Sequence, residues 1–176
     1  MADRYWVGDG GNWSDNTNHW AASSGGAPGA SLPTNEDNVF FDANSFTVGS
    51  QTVTVDASAY CLSMAWTGAT NTPELAMAAN LEVHDDLTTI SAMTWSRSAG
   101  LLVFAGAIGG DITTNGIALS PVYFNKTTGN AVTLQDSFSL DTGYDLYFIG
   151  GNLDINSQTV VVPGQIIISG ILHWMN

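Results

Sequence analysis

Cysteine is almost missing from this chain: Cys61 is the only one in 176 residues. No intrachain disulfide and no cysteine-based metal site can form. Its neighbours Leu62, Met64 and Trp66 mark it as a buried structural thiol, the usual place for a free cysteine. Basic residues are nearly as scarce. Arg4, Arg97 and Lys126 stand against 16 Asp and Glu, giving a formal net charge of −13. Such a chain repels phosphate backbones and anionic lipid surfaces, which excludes nucleic acid and membranes as partners. No apolar run approaches the ~20 residues of a membrane helix. Met1 to Trp6 lacks the basic, apolar, small-residue order of a signal peptide. The expectation is a protein made soluble in a cytoplasm, or one that reaches the outside by a route without a cleaved signal, such as particle assembly followed by lysis.

Catalytic motifs are lacking too. His19, His84 and His173 are far apart, with no HExxH or other paired-ligand spacing, and there is no GxSxG elbow. Stacked strands can bring Asp85, Asp86, Asp111, Asp136, Asp141, Asp145 or Asp154 into pairs of the kind a glycosidase uses. The three basic residues are too few and too scattered to complete such a site, so the chain reads as a non-enzyme with no cofactor. His84, beside Asp85 and Asp86, reads as part of a solvated strand edge rather than a metal ligand. Calcium is the metal that the hard oxygen donors Asp9, Asn12, Asp15, Asn18, Glu36, Asp37 and Asp42 would suit. Ordinary turns and caps account for the same residues.

What the chain has is β-structure punctuated by glycine. Leu102 to Gly106 and Leu146 to Gly150 alternate as short strands. Phe104 matches Phe148 and Asp111-Ile112 matches Asp154-Ile155, an offset of roughly 43–44 residues, within the range of solenoid and propeller repeats. Leu81 to Asp85 resembles Thr133 to Asp136 at a longer offset of about 51. Tyr60, Leu62, Met64 or Ala65, and Trp66 alternate as if lining one wall. Glu74 to Ala79 has good helix formers but is too short for a stable helix. Pro121 and Pro163 belong at strand starts or edges. The expected fold is all-β: a short β-solenoid over 39–176 with a Trp- and Gly-rich cap or docking segment over 1–38. A β-sandwich or jelly roll is the alternative.

Tyr5, Trp6, Trp13 and Trp20 punctuate loop-forming residues in the first segment. A solenoid end exposes apolar surface, so these rings are expected to seal the first coil. The rival reading makes Trp13 or Trp20 a platform for sugars. At the other end, Ile166 to Asn176 is strongly apolar. It either plugs the last coil or packs on another subunit, with Trp174 as anchor. Trp6, Trp13, Trp20 and Trp174 are therefore the candidate surface or interface residues.

Several segments together resemble one group of proteins. They are Arg4-Tyr5-Trp6-Val7-Gly8, Gly11-Asn12-Trp13-Ser14-Asp15, His19-Trp20, Ser24-Gly25-Gly26, Pro33-Thr34, Asp37 to Asp42 and Gln51 to Val55. They resemble the opening of proteins of tailed bacteriophages and bacterial surface repeats, in which a Trp/Gly-rich motif leads into β-helix-like coils. The likeness is strongest over about the first 70 residues. It implies a virion-surface β-protein: a capsid decoration or head-fibre subunit, trimeric, docked on the major capsid protein or another virion protein. The alternative is a tail-fibre or adhesin module that binds a receptor or cell-surface glycan. No catalytic residue is carried over from the group.

Overall fold

The computed structural model describes residues 1–127 and 129–169 and the backbone strand His173–Met175. The chain winds as a parallel β-solenoid of about six coils. Each coil contributes one short strand to each of three faces. One face is a nine-stranded sheet and another a six-stranded sheet. The third is split into a four-stranded and a three-stranded sheet. The indole nitrogen of Trp95 donates to Ser120 Oγ at 3.1 Å, linking the two parts of this split face.

The inward rows explain why the sequence folds this way. On the six-stranded face Ala59, Leu81, Leu102, Val122, Leu146 and Ile166 stand in register. Two residues along, so do Cys61, Val83, Phe104, Phe124, Phe148 and Ile168. The nine-stranded face adds Val39, Met64, Leu87, Ile112 and Leu134. Alternate residues of a strand face opposite ways, so each strand supplies the core with every second side chain. Parallel register then stacks like on like: Phe104, Phe124 and Phe148 follow one another with ring centroids 5.4 and 5.0 Å apart.

Phe104 and Phe148 are thus equivalent and buried, but Phe124 lies between them. The 43–44-residue offset spans two coils. Successive coils are 22, 21, 20, 24 and 20 residues apart along the first row of the six-stranded face. The match of Leu81–Asp85 to Thr133–Asp136 does not survive, because Leu81 lies on the six-stranded face and Leu134 on the nine-stranded one. Tyr60 also differs from its expected side. Ala59 and Cys61 point inward and Tyr60 outward, 41% exposed. Glu74–Met77 is a strand with Leu75 and Met77 buried, since its ladder partners decide what its propensity does not.

Residues 1–38 join the same sheets. Asp3–Trp6 pairs parallel with Asn38–Phe40 and antiparallel with Trp20–Ala21, and Gly11–Asn12 starts the split face. A four-residue helix, Asn16–His19, is capped by Asp15, whose carboxylate accepts from the Thr17 and Asn18 amides.

Candidate functional site

The aromatic segment is a seal. Trp6, Trp13 and Trp20 are buried together with Phe41, Phe46 and Trp66. Trp6 packs edge-on to Trp20 at 5.1 Å, Trp13 to Trp20 at 4.8 Å, and Phe41 stacks on Trp66 at 3.7 Å. Two of the three cap indoles donate within the cluster, Trp6 to Asp9 O and Trp20 to Trp13 O. His19 lies flat on Trp6 at 4.6 Å, and a Cβ at Gly11 would fall 2.0 Å from His19 Nε2, so glycine is required there. Sugar stacking on these three tryptophans would require the cluster to open. The side chain of Trp174 lies outside the described residues; its strand pairs with Asn152–Asp154.

The acidic residues of the first third act locally. Asp9 accepts from the Thr47 and Val48 amides and the Thr47 hydroxyl, and the Thr47 amide bond in particular lowers its pKa. Asp37 accepts from Ala2 N and from Thr34, which outweighs the cost of its burial and leaves its pKa below the ordinary value. Among the described residues no three His, Cys, Asp or Glu side chains converge as a metal site.

One group of charges does assemble. Lys126 is buried, and its ammonium donates to His84 O at 2.7 Å. Burial pushes its pKa down to about 8, although Asp85 and Asp86 pull the other way. Burial, followed by the neighbouring Asp86 charge, raises the pKa of Asp85, which Ser63 Oγ approaches at 3.4 Å. Asp86 accepts from the Asp111 amide at 2.8 Å. The sequence separates these residues by up to two coils, so Lys126 looked isolated. Asp136 binds Thr114 and Asn115, and Asp145 binds Gln165 N and Tyr147 Oη. Those carboxylates hold turns.

Above this cluster lies a surface hollow of about 290 Å³ lined by Pro33, Thr34, Asn35, Tyr60, Glu82 and His84. His84 Nε2 is shielded from water, makes no hydrogen bond and sits 3.4 Å from a Glu82 oxygen. His84 is half-buried rather than on an open edge. Gly106 makes room for its ring: φ is +87°, and a Cβ would lie 2.6 Å from His84 Nδ1. An outward tyrosine, a carboxylate and an imidazole are groups that can bind a neutral hydroxylated ligand. The hollow draws on residues from separate turns of the chain, and no sequence spacing announces it.

The two ends of the stack differ. The start is closed by the aromatic cluster and the antiparallel strand Trp20–Ala21. At Ile166–Ile168 two of the inward rows become exposed. Leu146 is 0% exposed and its register partner Ile166 is 45% exposed; Phe148 is 1% and Ile168 is 53%. No family model, curated protein or solved structure matches the chain.

Proposed function

We propose that this chain is a non-enzymatic structural subunit of a tailed-bacteriophage virion, a capsid decoration or head-fibre protein on the particle surface. The observation that carries the reading is the exposure of Ile166 and Ile168, which continue rows that are buried on the preceding coils. Core-row residues left half exposed suit a surface that is covered in an assembly. The resemblance of the first 70 residues or so to phage and surface-repeat proteins supports the same reading and suggests a trimer docked on the major capsid protein. The net charge of −13 suits attachment to a basic protein surface. Mass spectrometry of purified particles with copy counting tests it. Copies in the hundreds are expected for decoration, a handful would move the chain to a tail fibre, and absence would remove both.

A second reading, receptor or glycan binding, is favoured by the hollow at Tyr60, Glu82 and His84. It predicts saturable binding to neutral oligosaccharides that is lost in Tyr60→Ala with the fold retained. Unchanged binding in that variant would move any sugar site elsewhere.

A further inference from the structure

We infer that the hollow at Tyr60 and Glu82 takes an arginine side chain of a protein partner. The inference rests on the subunit reading above and names the chemistry of the docking contact. Three observations converge. First, the hollow holds an unused acceptor. Asp9, Asp37, Asp136 and Asp145 turn their carboxylates to backbone amides. The Glu82 carboxylate accepts no hydrogen bond among the described residues, and its close polar neighbour is His84 Nε2 at 3.4 Å. Second, the cations of the chain are engaged elsewhere. Arg4 donates to Ser31, Arg97 to Ala99 and Gly100, and Lys126 to His84 O. Third, Tyr60 and Glu82 stand in register on neighbouring strands with both side chains outward, Tyr60 being 41% exposed. Neighbouring strands run ~4.8 Å apart, so an open aromatic ring lies beside an unpaired carboxylate.

Ring and carboxylate select the occupant. A planar guanidinium lays its face on a tyrosine ring while its N–H fork bonds a carboxylate; a lysine ammonium has no flat face to stack and no fork. The field of a chain with net charge −13 draws a cation in and turns an anion away. A neutral sugar gains nothing from that field. A second hollow, of about 200 Å³, shares Asn35 with the first and is lined in part by Leu62, Ile108 and Glu36. Ile108 is 52% exposed. It offers apolar surface to the residue beside the arginine, and Glu36 adds a further acidic group next to the first. The two hollows together fit a protein segment in which arginine adjoins an apolar residue. The walls are open to water, so each contact is weak on its own and is weakened further by salt.

NMR titration of a blocked Arg-Leu peptide into the isotope-labelled chain, at low and high salt, tests this. Shifts are expected at Asn35, Tyr60, Leu62, Glu82, His84 and Ile108, and should shrink as salt is added. A Gln-Leu peptide should leave the spectrum unchanged. Glu82→Gln and Tyr60→Ala alter outward side chains and should keep the circular dichroism of the parent. Glu82→Gln should weaken peptide binding about tenfold or more, the worth of a hydrogen bond to a charged group, and Tyr60→Ala by a smaller factor. No localised shift in the parent overturns the inference, as do folded variants that bind like the parent. A neutral or amino-sugar oligosaccharide that binds there more tightly than the peptide overturns the protein partner. Particles that carry the protein while the peptide leaves the hollow untouched would remove the arginine contact and leave the subunit reading standing. Peptide binding by a chain missing from particles would do the reverse.

Discussion

Phe124→Ala is the substitution that probes the stacked core most sharply. Phe124 is 1% exposed and sits between Phe104 and Phe148, with Phe138 a further ring at 6.4 Å. Removing a buried phenylalanine costs about 3–5 kcal/mol from lost transfer energy and the cavity left behind. Two features place this site at the upper end. Both flanking rings lose a stacking partner, each pair being worth ~0.5–1.5 kcal/mol beyond burial. The ladder of Leu102–Gly106, Val122–Lys126 and Leu146–Gly150 fixes strand spacing near 4.8 Å, so the cavity cannot collapse. Phe148→Ala, whose register partner Ile168 is about half exposed, should cost less, near the lower figure of about 3 kcal/mol. Equilibrium urea unfolding reads both. Against a typical stability of ~5–15 kcal/mol the loss at Phe124 is large. Coils that contact only their neighbours should then unfold in a broader or two-step transition. A Phe124→Ala midpoint within a few tenths of a kcal/mol of the parent would refute the stacked row.

Four further outcomes follow from the same geometry. Gly11→Ala should push His19 off Trp6 and cost about 1–3 kcal/mol as an overpacked site, with a change in near-ultraviolet circular dichroism; an unchanged spectrum and stability would place His19 elsewhere. Lys126→Met should raise the Asp85 pKa further, read by NMR titration of its carboxyl; an unmoved titration would separate the two residues. The lysine's pKa falls on folding from 10.5 to about 8, so between those values the unfolded chain holds a proton the folded chain has released. Wild-type stability should therefore rise with pH across that window relative to Lys126→Met, and parallel pH profiles would contradict the buried placement. Trp6, Trp13, Trp20 and Trp66 are buried, so acrylamide should quench their emission poorly; full quenching would mean an open cluster.

The strands that declared themselves in the sequence are the five-residue ones, Leu102–Gly106 and Leu146–Gly150, long enough to show alternation. Val122–Lys126 belongs to the same row and was hidden by its last residue. Lys126 stands in register with Gly106, and a lysine where another coil turns on glycine disguises the repeat, which then reads as twice its length. Met64–Ala65 and Leu87–Thr88 are two-residue strands, too short for any period to register. Sealing of the first coil by Trp6, Trp13 and Trp20 was legible because turn-rich sequence with large rings leaves few other places for the rings. The charge cluster around Lys126 and the hollow at Tyr60 were not legible, since both are made by register between coils and not by neighbours along the chain.

Amide hydrogen exchange, followed residue by residue on dilute protein, tests the stacked solenoid most directly. At low concentration, Leu102–Gly106 and Val122–Lys126, flanked by ladders on both sides, should exchange slowly, and the strands next to the aromatic seal should match them. Ile166–Ile168, with two of its side chains about half exposed, should exchange faster. Exchange of Leu102–Gly106 and Val122–Lys126 as fast as that of Ile166–Ile168 would contradict a core built by stacking coil on coil.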